Sequence, residues 1–170
     1  ETVNPSLWRH IGILRQHGLF QVADGVWQVR GFDISNMTIV RGTAGWIIID
    51  PLTTKETARA ALELVNEKLG QRPVTAVIYS HSHGDHFGGV MGVTTEADVK
   101  AGRVRIIAPD GFMEHTVSEN IIAGPAMTRR ARFQFGTTLP RGIEGEMTSG
   151  LGPGISNGTI LSFVPWKWIT

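Results

Sequence analysis

Hydrophobic and polar positions change their period along this chain, and the changes divide it into elements. From Val26 onward, "VWQVRGF", "NMTIVRG" and "GWIIID" alternate or run apolar over short lengths and are separated by Gly, Asp, Ser and Asn, the pattern of an antiparallel meander. The period then lengthens. Ala58, Ala61, Leu62, Val65 and Leu69 fall on one face of a predicted helix, with Thr53 and Glu56 spaced as a capping box and Gly70 placed as its C-terminal cap. Pro73 leads into "VTAVIY", a short apolar run that reads as a buried strand. Residues 1 to 24 are mixed, and "NPSLWRHIGILRQHGLF" suits a short helix or an irregular arm.

Downstream, "ADVKAG" predicts a short helix and "RVRIIAP" another strand. "GFMEHTVSENIIAG" and "PAMTRRARFQF" predict two helical pieces, the second opened by Pro125. From Gly136 to Gly158 the chain is rich in glycine and lacks a period, which predicts a functional or mobile loop. The last run, "TILSFVPW", reads as a strand whose partner is not in this chain.

Composition narrows the choices. The 170 residues suffice for one domain with a core, and 41% hydrophobic with 18% charged residues is a globular balance. A net charge of +1 gives no electrostatic case for nucleic acid or a membrane surface as partner. No apolar run approaches the roughly 18 residues of a membrane-spanning helix. The absence of cysteine excludes disulfides and thiolate ligands and leaves the compartment open. The chain starts at Glu1 without a signal pattern, which is compatible with a removed leader or a cut chain.

The concentrated chemistry lies in "YSHSHGDHFGG", where His81, His83, Asp85 and His86 occupy six positions and use half of the six histidines. Imidazole nitrogen and carboxylate oxygen bind zinc without sulfur. The glycines at 84, 88 and 89 suggest a tight turn that lets the side chains converge. His81 and His83 are placed to hold one metal and Asp85 and His86 a second, and two adjacent ions could share a hydroxide and offset charge on an ester. The cluster follows a buried strand at the end of a strand–helix–strand unit, where α/β folds place their sites. A solvated loop without metal is the competing reading, and four ligand-type residues at such a strand end argue against it.

"HSHGDH" resembles the signature of the metallo-β-lactamase superfamily, as does the order meander, strand ending "IIID", helix and strand. The longer segments "SHSHGDHFGGV" and "SENIIAGPAMTRRARFQFGTTLPRG" resemble the SDS-hydrolysing alkylsulfatases within it, over roughly Asn4 to Phe163. The resemblance implies an α/β fold, an αββα sandwich of which residues 1–170 hold the N-terminal portion of the catalytic domain. It implies two zinc ions per complete site, hydrolysis of linear alkyl sulfates to alcohol and sulfate, and a homodimer for the complete protein, exported to the periplasm or outside. Asp85 would be metal-bound with a role beside the activated water, and Asp50 would orient ligands from behind. The family's two glutamate ligands, a further histidine, its sulfate-binding residues and its later domains are expected beyond Thr170, so this chain is expected to be inactive alone. The alternatives keep the fold with another substrate, a glyoxalase II-type thioesterase or a β-lactamase, or read the chain as a non-catalytic metal-binding fragment.

Other residues divide between chemistry and scaffold. Before Pro51, Asp50 also reads as a turn or capping residue. Asn157, in the glycine-rich segment, is placed to reach a sulfate at the mouth of the site. His115 reads as a surface or cap histidine sooner than a ligand. Glu119 and Asn120 read equally as site-lining residues or a polar helix face. Arg129, Arg130 and Arg132 suggest oxyanion binding but fit a solvated helix face better. Trp166 and Trp168 suit contact with an alkyl chain or with another part of a fold.

Overall fold

The computed structural model describes residues 3–160. The elements run α1 (Pro5–Leu14), β1 (Gly18–Ala23), β2 (Val26–Arg30), β3 (Met37–Arg41), β4 (Trp46–Ile49), α2 (Lys55–Leu69), β5 (Val74–Ile78), α3 (Glu96–Lys100), β6 (Arg105–Ile107), α4 (Phe112–Val117) and α5 (Gly124–Phe135). Two 3₁₀ turns, Gly84–His86 and Val90–Gly92, follow β5, and a π turn, Ser118–Ile122, joins α4 to α5. The six strands form one sheet in sequence order, antiparallel from β1 to β4 and parallel from β4 to β6. The switch to parallel pairing falls where α2 crosses between β4 and β5, since parallel neighbours need such a crossover.

Strand alternation decides which face is buried. Trp27 pairs with Ile39, Ile39 with Ile48, Ile48 with Val77 and Val77 with Ile106, so one apolar row crosses five strands. These residues join Ala58, Ala61 and Val65 of α2 in one buried cluster. The opposite face carries Val26, Val40 and Ile47 in register and is only half-buried. One sheet with a helix on its buried face is the arrangement expected of the first part of an αββα sandwich. At the end of the sheet remote from the histidines, Trp27 and Trp46 meet edge to face with centroids 6.1 Å apart, and the Arg41 guanidinium lies 4.8 Å above the Trp27 ring.

The local expectations meet different outcomes. Residues 3–24 hold the short helix, capped by the Asn4 side chain on the Ser6 N–H, and then the edge strand β1, which the sequence pattern did not reveal. The helix cap is Thr54, whose side chain accepts from the Thr57 N–H, in place of Thr53. Glu56 reaches Thr159, accepting from its N–H at 2.9 Å and its hydroxyl at 3.0 Å, so the capping box of Thr53 and Glu56 does not form. The strand expected over "TILSFVPW" falls, from Leu161 onward, outside the described residues, as do Trp166 and Trp168.

Thr53 is drawn away by Asp33, which is 1% exposed. Its Oδ1 accepts from the Ile34 N–H, the Thr53 hydroxyl and the Ser156 N–H, and its Oδ2 accepts from the Thr53 N–H and the hydroxyls of Thr57 and Ser156. One buried carboxylate thereby joins the β2–β3 loop, the N-terminus of α2 and the late segment around Ser156. Asp33→Ala removes the acceptor of the Ile34, Thr53 and Ser156 N–H groups and of the Thr53 hydroxyl and is expected to cost roughly 2–4 kcal/mol, measured as a lower urea midpoint. Glu63→Ala, on the exposed face of α2, should stay within about 0.5 kcal/mol. Equal effects would contradict the tethering role of Asp33.

Candidate metal centre

The histidine loop leaves the carboxyl end of β5 and is supported from beneath by rings. Tyr79 precedes it, Phe87 follows it, and Phe112 opens α4, with centroids 5.8, 5.4 and 5.2 Å apart for Tyr79–Phe87, Tyr79–Phe112 and Phe87–Phe112. The glycines act differently from expectation. A Cβ on Gly84 would meet nothing within 4 Å, whereas one on Gly89 would lie 2.2 Å from the Pro51 carbonyl and one on Gly88 2.4 Å from that of Thr53. Gly88 and Gly89 let the loop press its backbone onto the β4–α2 turn, and the Gly89 N–H donates to the Leu52 carbonyl.

That turn carries Asp50. Asp50 and Leu52 both have left-handed backbones, with φ of 56° and 62°, uncommon outside glycine and often found at functional sites. Asp50 accepts from the Ser80 N–H at 2.8 Å, the Ser80 hydroxyl at 2.6 Å and His86 Nδ1 at 2.9 Å. Because the Ser80 proton goes to Asp50, its oxygen is left to accept from His81 Nδ1, 2.9 Å away. The His81 and His86 rings lie 4.1 Å apart and those of His81 and His83 4.7 Å apart. The structure therefore gathers all three histidines and Asp85 at one strand end, with Asp50 behind them.

Charge reinforces the geometry. Burial works against a charged His86, but its hydrogen bonds to Asp50 and Asp85 and their negative charges prevail and raise it from 6.5 to about 9. Burial would raise Asp85, yet the hydrogen bond and charge of His86 hold it below the ordinary aspartate value. His81 is pushed below the usual histidine value, first by burial and then by His86 and His83.

The donor set fits zinc in chemistry. His86 Nε2 and Asp85 Oδ2 are 3.2 Å apart, close to the separation of two ligands on a tetrahedral ion bound at about 2.0–2.2 Å. The outer nitrogens of His81 and His86 already have polar partners, as ligating histidines do. Among the described residues no three His, Asp or Glu side chains converge into a ready cage. The loop supplies donors and their orientation without closing around an ion.

Glu119 and Asn120, on the π turn, do line the cluster. Glu119 Oε2 accepts from the Ser82 hydroxyl at 2.9 Å and lies 3.3 Å from His83 Nε2, and Asn120 donates to the Ser82 carbonyl at 3.0 Å. The unusual turn carries no sequence signal strong enough to have placed them. Asn157 is exposed between Ser156, bound to Asp33, and Thr159, bound to Glu56, so it lies on the segment strapped across the start of α2. His115 is exposed at the end of α4, and Arg129, Arg130 and Arg132 are exposed on α5. A cavity of about 510 Å³ lies between α1 and residues 141–153, lined by Ile11, Leu14, Arg15, Arg141, Ile143 and Met147 among others. None of the histidine-loop residues lines it. No described helix is long and apolar enough to cross a membrane.

Comparison with known proteins gives these features a context. The profile of the metallo-beta-lactamase superfamily matches residues 30–164. The chain is 53% identical over 165 residues to a linear primary-alkylsulfatase of a Pseudomonas species, covering 97% of this chain and 24% of that protein. It is 55% identical over 151 residues to an (R)-specific secondary-alkylsulfatase of a Pseudomonas species, covering 89% of this chain and 23% of that one. The solved stereoselective inverting sec-alkylsulfatase of a Pseudomonas species superposes with a TM-score of 0.89 at 52% identity, over 99% of this chain and 27% of that one. The chain thus spans about a quarter of the length of these relatives.

Two measurements check the site. Gly89→Ala should lower stability by about 1–3 kcal/mol by forcing the loop off the β4–α2 turn, while Gly84→Ala, with open space, should cost less than about 1 kcal/mol. The reverse order would refute the close-approach account. In the metal-free chain the His86 ring should titrate near pH 9, and Asp50→Asn should bring the midpoint down toward 6.5, followed by NMR. The raised value means that protonated His86 stabilises the metal-free fold fully below pH 6.5 and that this contribution fades as pH rises through 9. A midpoint unmoved by Asp50→Asn would contradict the assigned cause.

Proposed function

Because the chain belongs to the metallo-beta-lactamase superfamily, we propose that it forms the histidine-loop part of a zinc-dependent hydrolase cleaving linear alkyl sulfate esters, such as dodecyl sulfate, to alcohol and sulfate. The observation that carries this reading is the cluster of His81, His83, Asp85 and His86 with Asp50 behind it, in a chain more than half identical to alkylsulfatases. Its relatives' names cover primary and secondary alkylsulfatases at nearly equal identity. The shared segment therefore supports sulfate ester chemistry and leaves the choice of alkyl group to other parts of the proteins.

His81 and His83 would hold one zinc and Asp85 and His86 the other. Zinc bound there would activate a water and offset the charge of the sulfate. Asp50 keeps His86 in one orientation directly and His81 through Ser80, so both rings are positioned before any ion arrives. Asp85, whose carboxyl is held below its ordinary value by His86, would offer an oxygen to the ion and could accept a proton beside it.

The high identity to alkylsulfatases favours this substrate over the thioesters and β-lactams of other superfamily members. A second reading, a metal-binding segment without turnover by itself, is favoured by the absence of three converging donors among the described residues. Zinc content by mass spectrometry, measured on the same sample as hydrolysis of dodecyl sulfate, a thioester and a β-lactam, separates these readings. In the complete protein, bound zinc with dodecyl sulfate turnover, both lost in His83→Ala, is the expected result. Zinc without turnover supports the second reading, and hydrolysis of the thioester or lactam alone would overturn the first.

A further inference from the structure

An imidazole that binds a cation through one nitrogen carries its proton on the other, and the acceptor of that proton fixes the orientation of the ring. His81 and His86 both turn Nδ1 outward, to Ser80 and to Asp50. Their Nε2 atoms are the ones left for a metal, and that of His86 faces Asp85. His83 is opposite in sense. Its Nε2 lies 3.3 Å from Glu119 Oε2, on the side of the π turn. We propose that Glu119 is the positioning residue of His83: its carboxylate accepts from the Nε2–H and leaves Nδ1 to face the cation.

The surroundings hold Glu119 to this task. Its Oε2 also accepts from the Ser82 hydroxyl, one residue before His83, so the carboxylate is tied to the loop it orients. Asn120 donates to the Ser82 carbonyl and to the Thr116 carbonyl, joining the π turn to the same loop and to α4. At the other end of α4, Phe112 is buried against Tyr79 and Phe87, which flank the histidines. Single π turns often occur at functional sites, and this one lets adjacent residues 119 and 120 both reach Ser82. The His83 and Glu119 side chains are about half exposed, 53% and 45%. The contact consequently orients the ring and adds little to stability.

The inference rests on the metal reading of the loop, and its test keeps the two apart. Zinc affinity is measured by calorimetry for the wild-type chain, Glu119→Ala, Glu119→Gln and Asn120→Ala, with thermal melting as a check on folding. The cobalt(II)-loaded forms are compared by NMR, in which each ligating histidine gives one strongly shifted, solvent-exchangeable N–H signal. Glu119→Ala should weaken zinc about 10–100-fold and remove or broaden one of those signals while leaving the others. Glu119→Gln, which still offers an oxygen to the Nε2 proton, should keep the signal and lose less affinity. Unchanged zinc affinity and unchanged signals in Glu119→Ala overturn the proposal. So does an Asn120→Ala effect equal to that of Glu119→Ala, because a shared loss would come from anchoring the loop. If Glu119→Ala melts, Glu119→Gln decides, with affinity and signals both lost overturning the proposal. A wild-type chain that takes up neither ion overturns the metal reading and this inference with it.

Discussion

The contact on which the site depends is between two stretches of backbone. The loop after β5 lies on the turn after β4 so closely that a single methyl group on Gly89 would fall within 2.2 Å of a carbonyl oxygen. Such an approach excludes side chains and leaves hydrogen bonding to the backbone itself, here from the Gly89 N–H to the Leu52 carbonyl. It also brings together residues far apart in sequence. Asp50 on one stretch and Ser80, His81 and His86 on the other meet because the glycines let the two chains touch.

The turn that receives the loop is strained, and the strain is held from both sides. Leu52 is fully buried with a left-handed backbone, a conformation that a leucine adopts only when its surroundings impose it. Thr53 and Thr54, directly after it, are buried and bonded to Asp33 and to the first turn of α2. Asp33 thus fixes one side of a turn whose other side presents Asp50. Packing, backbone strain and the orientation of the imidazoles form one chain of dependence, running from the core to the histidine loop.

Much of this was legible in the sequence. The strand period marked β2 to β5, the helical period marked α2, and the spacing of His81, His83, Asp85 and His86 marked the strand end where they now lie together. Local pattern failed where long-range partners decide. Thr53 and Glu56 form a good capping box in isolation, but Asp33 and Thr159 compete for them and prevail. β1 pairs at the sheet edge through backbone bonds that need no apolar alternation, and its burial pattern shows none. Glu119 was visible only as an ambiguous helix residue, because its role depends on a π turn and on Ser82, 37 positions earlier.

Two aspartates show why burial of a carboxylate does not by itself mark chemistry. Asp33 is almost completely buried and receives six hydrogen bonds, all from backbone amides or hydroxyls. These occupy the roughly four lone-pair directions a carboxylate offers, so none is left for a ligand. None of its partners is a titratable side chain. Asp50 is less buried and receives three bonds, one of them from the titrating imidazole of His86. Asp50 thus shares a hydrogen bond with a titrating imidazole, whereas the saturated Asp33 holds the turn from which that contact is made.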